Sequence, residues 1–206
     1  MDSSYVERRF NKNIGLVMTL RCPITCSHCF LEAGPSRNEE VSIKNAISWI
    51  KQAASYNNGF IEGLSLTGGD PFYNMEKLKT IVNIAGTLGI KTTATTSAFW
   101  AVTRDRALKT LGSLPLAMLA ISTDIYHQNF VPFSFIKNAI YAAEKLKIEY
   151  EIVVATENIK SPEFNSIIED ITKVTNYNNI EITSVFPVGR ASQLNLNKKY
   201  VKKPPK

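Results

Sequence analysis

Long apolar runs are missing from this chain. The opening MDSSYVERRFNKN is polar and charged, and the apolar stretch after it is far too short to span a bilayer. No segment reads as a signal peptide, so the expectation is a cytoplasmic protein with no membrane partner. Low-complexity inserts are missing as well. With 44% hydrophobic and 20% charged residues, the composition is that of a globular chain and excludes general disorder. Its 206 residues suit one domain with a large buried core and are short for two. Cysteine is scarce, with only 3 in the chain. A cytosolic chain is not expected to build a disulfide framework from them, and clustered thiols there point to metal or redox work. Charge of one sign is in modest excess. The formal net charge is +6, and part of it sits in the tail KKYVKKPPK, which reads as a solvated end and names no partner.

Short apolar strands alternate with amphipathic helices along the chain. The strand candidates are Ile14–Thr19, Gly63–Thr67, Lys91–Thr96, Leu116–Ser122, Tyr150–Ala155 and Ile180–Phe186. They are rich in Val, Ile, Leu and Thr and mostly apolar on both faces, as strands of a buried parallel sheet are. Between them, Ile43, Ala46, Ile47, Ile50 and Ala54 follow helical spacing, as do Leu78, Ile81, Val82 and Ala85. Ile136, Ala139, Ile140 and Ala143 form a third stripe, and Phe164, Ile167, Ile168, Ile171 and Val174 a fourth. Met75–Thr87 and Arg104–Leu111 complete the helices. Ser161-Pro162 reads as an N-cap with proline at the first helical position, and Gly89 as a helix stop. Repeated strand–helix units with right-handed crossovers give an open doubly wound sheet or a curved barrel, and periodicity does not separate the two. Both place ligand sites at the carboxyl ends of the strands.

The cysteines stand at one such end. Arg21-Cys22-Pro23-Ile24-Thr25-Cys26-Ser27-His28-Cys29 follows the first strand directly, with the spacing C-x3-C-x2-C. Thiolates are soft ligands suited to zinc or iron–sulfur clusters. Three ligands on a four-iron cluster leave one iron open, as a reactive site requires. The competing reading is a zinc site with His28 as fourth ligand. Against it, His28 adjoins Cys29, closer in sequence than paired zinc ligands usually stand.

C-x3-C-x2-C after a first strand resembles the signature of the radical S-adenosylmethionine (SAM) superfamily, and the resemblance covers nearly the whole chain. It implies an α/β fold, a partial (β/α)6 TIM-like barrel with parallel strands over residues 13–192. An N-terminal extension (1–12) would precede it and a basic tail (193–206) follow. It implies a [4Fe–4S] cluster on Cys22, Cys26 and Cys29, with SAM as the second cofactor. His28, where the family usually has an aromatic residue, would wall the adenine pocket. Thr67-Gly68-Gly69-Asp70-Pro71 resembles the family's G-G-E-P motif, which holds the methionine amino group, with Asp70 in place of glutamate. That departure weakens a carboxylate role and leaves the backbone role of the glycines. Thr95, Ser97, Ser122 and Asp124, at the ends of the third and fourth strands, would meet the sulfonium, carboxylate or ribose. Asn158, beside Glu157, is a looser match for a ribose contact. Val188 and Arg190, in a P-x-G-R-A segment found in peptide-modifying members, would flank the adenine or reach an anionic group. Tyr126 and His127 are the candidate catalytic residues, as hydrogen-atom relay and acid–base group.

The implied reaction is reductive cleavage of SAM to methionine and a 5′-deoxyadenosyl radical, which then takes a hydrogen atom from the substrate. The motif style points to a peptide or protein substrate, with RNA modification and small-molecule chemistry as the other open classes. An external one-electron reductant such as flavodoxin or ferredoxin would be a partner, and no cysteine remains in these residues for an auxiliary cluster. The residues end soon after the sixth strand, so a minimal enzyme, a fragment, and a chain whose barrel a partner subunit closes are all expected forms. Two readings from other classes stand beside this one: a zinc-stabilised binding module, and a barrel that binds SAM or peptide without catalysis.

Overall fold

A computed structural model describes residues 12–194 and 196. The expected N-terminal extension, apart from Lys12, and the basic run at 198–206 lie outside the described residues. Six strands form one sheet: β1 (Asn13–Thr19), β2 (Gly63–Gly68), β3 (Lys91–Thr96), β4 (Met118–Ser122), β5 (Glu149–Thr156) and β6 (Ile180–Ser184). Each pairs in parallel with the next, in the order β1-β2-β3-β4-β5-β6. Five α-helices lie between them: α1 (Ile43–Ser55), α2 (Met75–Thr87), α3 (Arg104–Leu111), α4 (Phe133–Leu146) and α5 (Pro162–Thr172). A doubly wound sheet reverses its strand order at a switch point. This one does not, so the barrel reading holds. β1 and β6 do not pair, so the barrel is partial and open between them.

The core lies between the sheet and its helices. Leu64, Leu66, Leu119, Ile121, Ile152 and Val154, on alternate strand positions, are buried in one apolar cluster. The helical stripes meet them with Ile50, Leu78, Ile81, Ile136, Ile140 and Ile171. Each such side chain contributes roughly 1.5–3 kcal/mol when fully buried. The opposite strand face is not apolar as expected. Asn13 donates through Nδ2 to Ser65 Oγ at 2.7 Å, and Thr93 Oγ1 donates to Ser65 Oγ at 3.1 Å. Threonine and serine sit well on a pleated strand, so the composition of the runs did not reveal that this face is polar.

Local signals set the helix ends. Ser42, Asn74, Thr103 and Ser161 each accept a backbone N–H from the first turn of α1, α2, α3 and α5. Gly89, at φ +77°, ends α2 while Ile90 N–H returns to the Ala85 carbonyl at 3.0 Å. Two expected strands are shorter than their apolar runs. β4 starts at Met118, because Pro115 sits at the centre of a turn closed by Leu116 N–H on the Leu114 carbonyl. β6 stops at Ser184, because Pro187 sits in a turn closed by Val188 N–H on the Phe186 carbonyl. Among the described residues no helix is long and apolar enough to cross a membrane.

Candidate functional site

The segment between β1 and α1 crosses the carboxyl rim of the sheet. It is pinned to β1 by Leu20 N–H on the Glu39 carbonyl at 2.8 Å and Val41 N–H on the Met18 carbonyl at 2.9 Å. Inside that hairpin, Cys22 N–H bonds the Gly34 carbonyl and Gly34 N–H the Leu20 carbonyl. Cys29 N–H then reaches the Cys26 carbonyl, closing a tight turn between the second and third cysteines. Cys22 and Cys26 are buried, Cys29 is half-buried, and all three are free thiols. They line one cavity of about 150 Å³. Burial pushes the Cys22 thiol up to about 12, so a metal entering here must displace its proton.

The exit of β2 grips the start of this loop. A Cβ on Gly68 would stand 2.2 Å from the Thr19 carbonyl oxygen, and one on Gly69 2.1 Å from that of Arg21. Only glycine permits this approach, and both glycines line the cysteine cavity. Asp70 does not. Its carboxylate is buried and accepts from Phe72 N–H, Ser97 N–H and the hydroxyls of Thr96 and Ser97. Burial outweighs these bonds and holds its pKa above the usual value. Asp70 therefore ties the ends of β2 and β3 together, with Pro71 buried beside it at the start of the turn Pro71–Tyr73. Ser97 is part of this tie and also reaches the cavity wall.

A second cavity, of about 540 Å³, lies over the ends of β4, β5 and β6. It shares the walls His28, Phe30, Thr95, Ser122 and His127 with the first. Ser122 and Asp124 face the same way, as strand alternation implies, and both line it. Asp124 is buried and accepts from the backbone N–H groups of Tyr126, His127 and Ala155. His127 Nδ1 stands 2.9 Å from Asp124 Oδ1, off the N–H direction, so the contact is an ion pair more than a directed hydrogen bond. Burial alone would lower the His127 pKa, but Asp124 and the adjacent Cys26 raise it to about 10. Burial likewise opposes ionisation of Asp124, yet His127 and His28 hold its pKa below the usual value. His28 goes the other way, lowered to about 4 by burial despite Asp124. Its ring stacks on Tyr126 with centroids 4.5 Å apart, and its Nδ1 is buried without a partner. Tyr126 lines neither cavity. Its hydroxyl bonds Glu157 at 3.3 Å, and burial first, then Glu157, pushes its pKa up.

The remaining sequence candidates lie near the exits of β5 and β6. Val188 walls the larger cavity. Arg190 reaches the smaller one but donates to backbone carbonyls of the cysteine loop. Asn158 lies outside both cavities, where its Oδ1 accepts Lys160 N–H in a local turn. The sequence reading overlooked Phe30, Val153, Ala155, Thr183 and Phe186, all of which line the larger cavity. The signal for Val153, Ala155 and Thr183 was period-two alternation along β5 and β6; Phe30 and Phe186 carried none. The donor set fits an iron–sulfur cluster with one open position. Three thiols line one cavity that two backbone-tight glycines wall.

A sequence model described as the radical SAM superfamily matches residues 16–163. The chain is 25% identical over 200 residues to YydG of Bacillus subtilis (strain 168), whose name assigns it to peptide biosynthesis. That alignment covers 93% of this chain and 61% of YydG. Among solved structures, anSMEcpe with bound AdoMet superposes with TM-score 0.62 at 14% identity, over 84% of this chain and 52% of that one. TYW1 with a lysine-pyruvate adduct superposes with TM-score 0.53 at 13% identity, over 90% of this chain and 70% of that one. These two likenesses concern the fold. The chain spans about three fifths of YydG and about half of anSMEcpe.

Proposed function

Because the chain belongs to the radical SAM superfamily, we propose that it is an enzyme that reductively cleaves SAM and takes a hydrogen atom from a peptide or protein substrate. One observation carries the reading. The three cysteines of C-x3-C-x2-C share a cavity with Gly68 and Gly69, and that cavity adjoins a larger cleft walled by Ser122 and Asp124. Cys22, Cys26 and Cys29 would hold the cluster, which supplies the electron for breaking the carbon–sulfur bond of SAM and leaves one iron open for a ligand. The chain's own residues bind and orient. Backbone groups at Gly68 and Gly69 suit a cationic ammonium, since no side chain intervenes. The hydroxyls of Thr95 and Ser122 and the carboxylate of Asp124 offer polar contacts along the cleft, with the His28 ring as an apolar wall. Phe30, Val185, Phe186 and Val188 supply the apolar surface that excludes water there. His127, held by Asp124 on the wall shared by both cavities, remains the candidate for proton transfer, whereas Tyr126, which lines neither cavity, backs the His28 ring. YydG's name supports a peptide substrate. The electron must come from an external reductant such as flavodoxin or ferredoxin, and a partner subunit could close the gap between β1 and β6.

A zinc-binding reading has one observation of its own. Ligand atoms of Cys26, His28 and His127 lie within 4.8 Å of one another. Anaerobic reconstitution with iron and sulfide separates the two. The enzyme reading expects a brown protein that releases 5′-deoxyadenosine with dithionite and SAM. It expects Cys26→Ala to take up no cluster while keeping its far-ultraviolet circular dichroism. A protein that binds zinc tightly, takes up no iron and makes no 5′-deoxyadenosine would overturn it.

A further inference from the structure

The cysteine loop carries no helix or strand of its own between Cys22 and Cys29. Its shape therefore rests on whatever satisfies its backbone groups. Part of that support comes from the far end of the chain. Arg190 donates Nε–H to the Cys26 carbonyl at 2.9 Å and a terminal N–H to the Ala33 carbonyl at 2.7 Å. Its own backbone N–H bonds the Cys29 carbonyl at 3.1 Å. One residue thus holds three carbonyls of the loop, two of them belonging to cluster cysteines. The preceding residue lies just as close. Gly189 has φ +60°, and a Cβ there would stand 2.4 Å from the Phe30 carbonyl oxygen and 2.7 Å from that of Cys29. The segment is anchored behind by Ala191, which is fully buried, and by Ser192 Oγ on the Gly189 carbonyl. Residues 189–190 also lie beyond the stretch that the superfamily model matches.

We propose that Arg190 is the positioning residue of the cluster-ligand loop: its guanidinium fork fixes the Cys26 peptide against the Ala33 peptide and so sets where Cys29 stands between them. The proposal rests on the cluster reading only in that the three cysteines hold the cluster. The fork is the essential feature. Two nitrogens of one rigid plane reach two carbonyls seven positions apart in sequence, whereas a lysine offers a single point of donation. Ala33 is buried, so without Arg190 its carbonyl loses its partner away from water. The rival role for the same residue is charge: a cation beside thiolates would stabilise a negative cluster wherever its donors pointed. Lysine keeps the charge and loses the fork, which separates the two roles.

The experiment reconstitutes the full chain and its variants Arg190→Lys, Arg190→Ala and Gly189→Ala anaerobically. Cluster loss to a chelator is followed by visible absorbance, together with iron and sulfide content. The EPR spectrum of the reduced cluster is recorded without SAM. Hydrogen exchange over residues 22–34 and thermal unfolding are measured on the iron-free forms. Arg190→Lys and Arg190→Ala should both lose the cluster roughly 10–100-fold faster than the parent, the range for removing the outer partners of metal ligands. Gly189→Ala, which keeps the arginine but pushes its segment off the loop, should do the same. Exchange over the loop should rise in all three. If Arg190→Lys holds its cluster as long as the parent, the fork has no positioning role. If a variant does not fold, the unfolding curve reveals it and the other two carry the test. If the parent itself takes up no cluster, the functional reading fails and the proposal with it. A loaded parent beside unaffected variants would sink the proposal alone.

Discussion

Asp70 decides more at the scale of single residues than its position beside the glycines suggests. Each of its carboxylate oxygens accepts a fixed backbone N–H, one from Phe72 and the other from Ser97. Asparagine is nearly the same shape but presents a donor on one side. Whichever way it turns, an N–H then meets an N–H in a buried place. Asp70→Asn should therefore lower stability by about 1–3 kcal/mol, read from urea unfolding of the iron-free chain. Unchanged stability would mean that the carboxylate does not tie β2 to β3. That the three cysteines line one cavity was legible from spacing alone, because they stand close together on one loop. The partners of Asp70 were not, because Thr96 and Ser97 reach it only once β2 and β3 lie side by side. The same holds for His127, whose neighbour Cys26 comes from a different strand exit.

At the scale of elements, the apolar stripes, caps and glycine stops marked the helices well. α2 and α3 have the bounds read from the sequence, since Asn74 and Thr103 cap them at their first turns. Strand ends were less legible, because Leu116 and Phe186 extend an apolar run into turns that backbone hydrogen bonds shape. The close approach of β2 to the cysteine loop gives a paired test. Gly69→Ala places a Cβ against the Arg21 carbonyl, which cannot yield as a flexible side chain would. It should cost about 1–3 kcal/mol and weaken cluster retention. Gly86→Ala, in α2 with nothing within 4 Å of its Cβ, should be neutral or stabilise by up to about 1 kcal/mol. Equal effects of the two changes, in denaturant melts and iron retention, would show that the grip of β2 on the loop has no consequence.

Across the whole molecule, the sheet holds the cysteine loop, the glycine turn and the segment 189–190 at one rim, so a ligand there binds only the folded state. Loading the cluster should raise the thermal unfolding midpoint, and adding SAM should raise it further. Cys26→Ala should show neither the iron-dependent rise nor its reversal by a chelator. A midpoint that does not respond to loading would place the bound metal outside the folded core. The sequence by itself determined the alternation of strands and helices, the core stripes and the grouping of the three cysteines on the loop after β1. These depend on propensity, period and local spacing, which act within a few residues. Only the tertiary structure decided between barrel and doubly wound sheet, gave the strands a polar inner face, and set Arg190 on the carbonyls of the loop. Those features depend on which distant segments become neighbours, and hydrogen bonds between residues 26 and 190 leave no periodic trace in the chain.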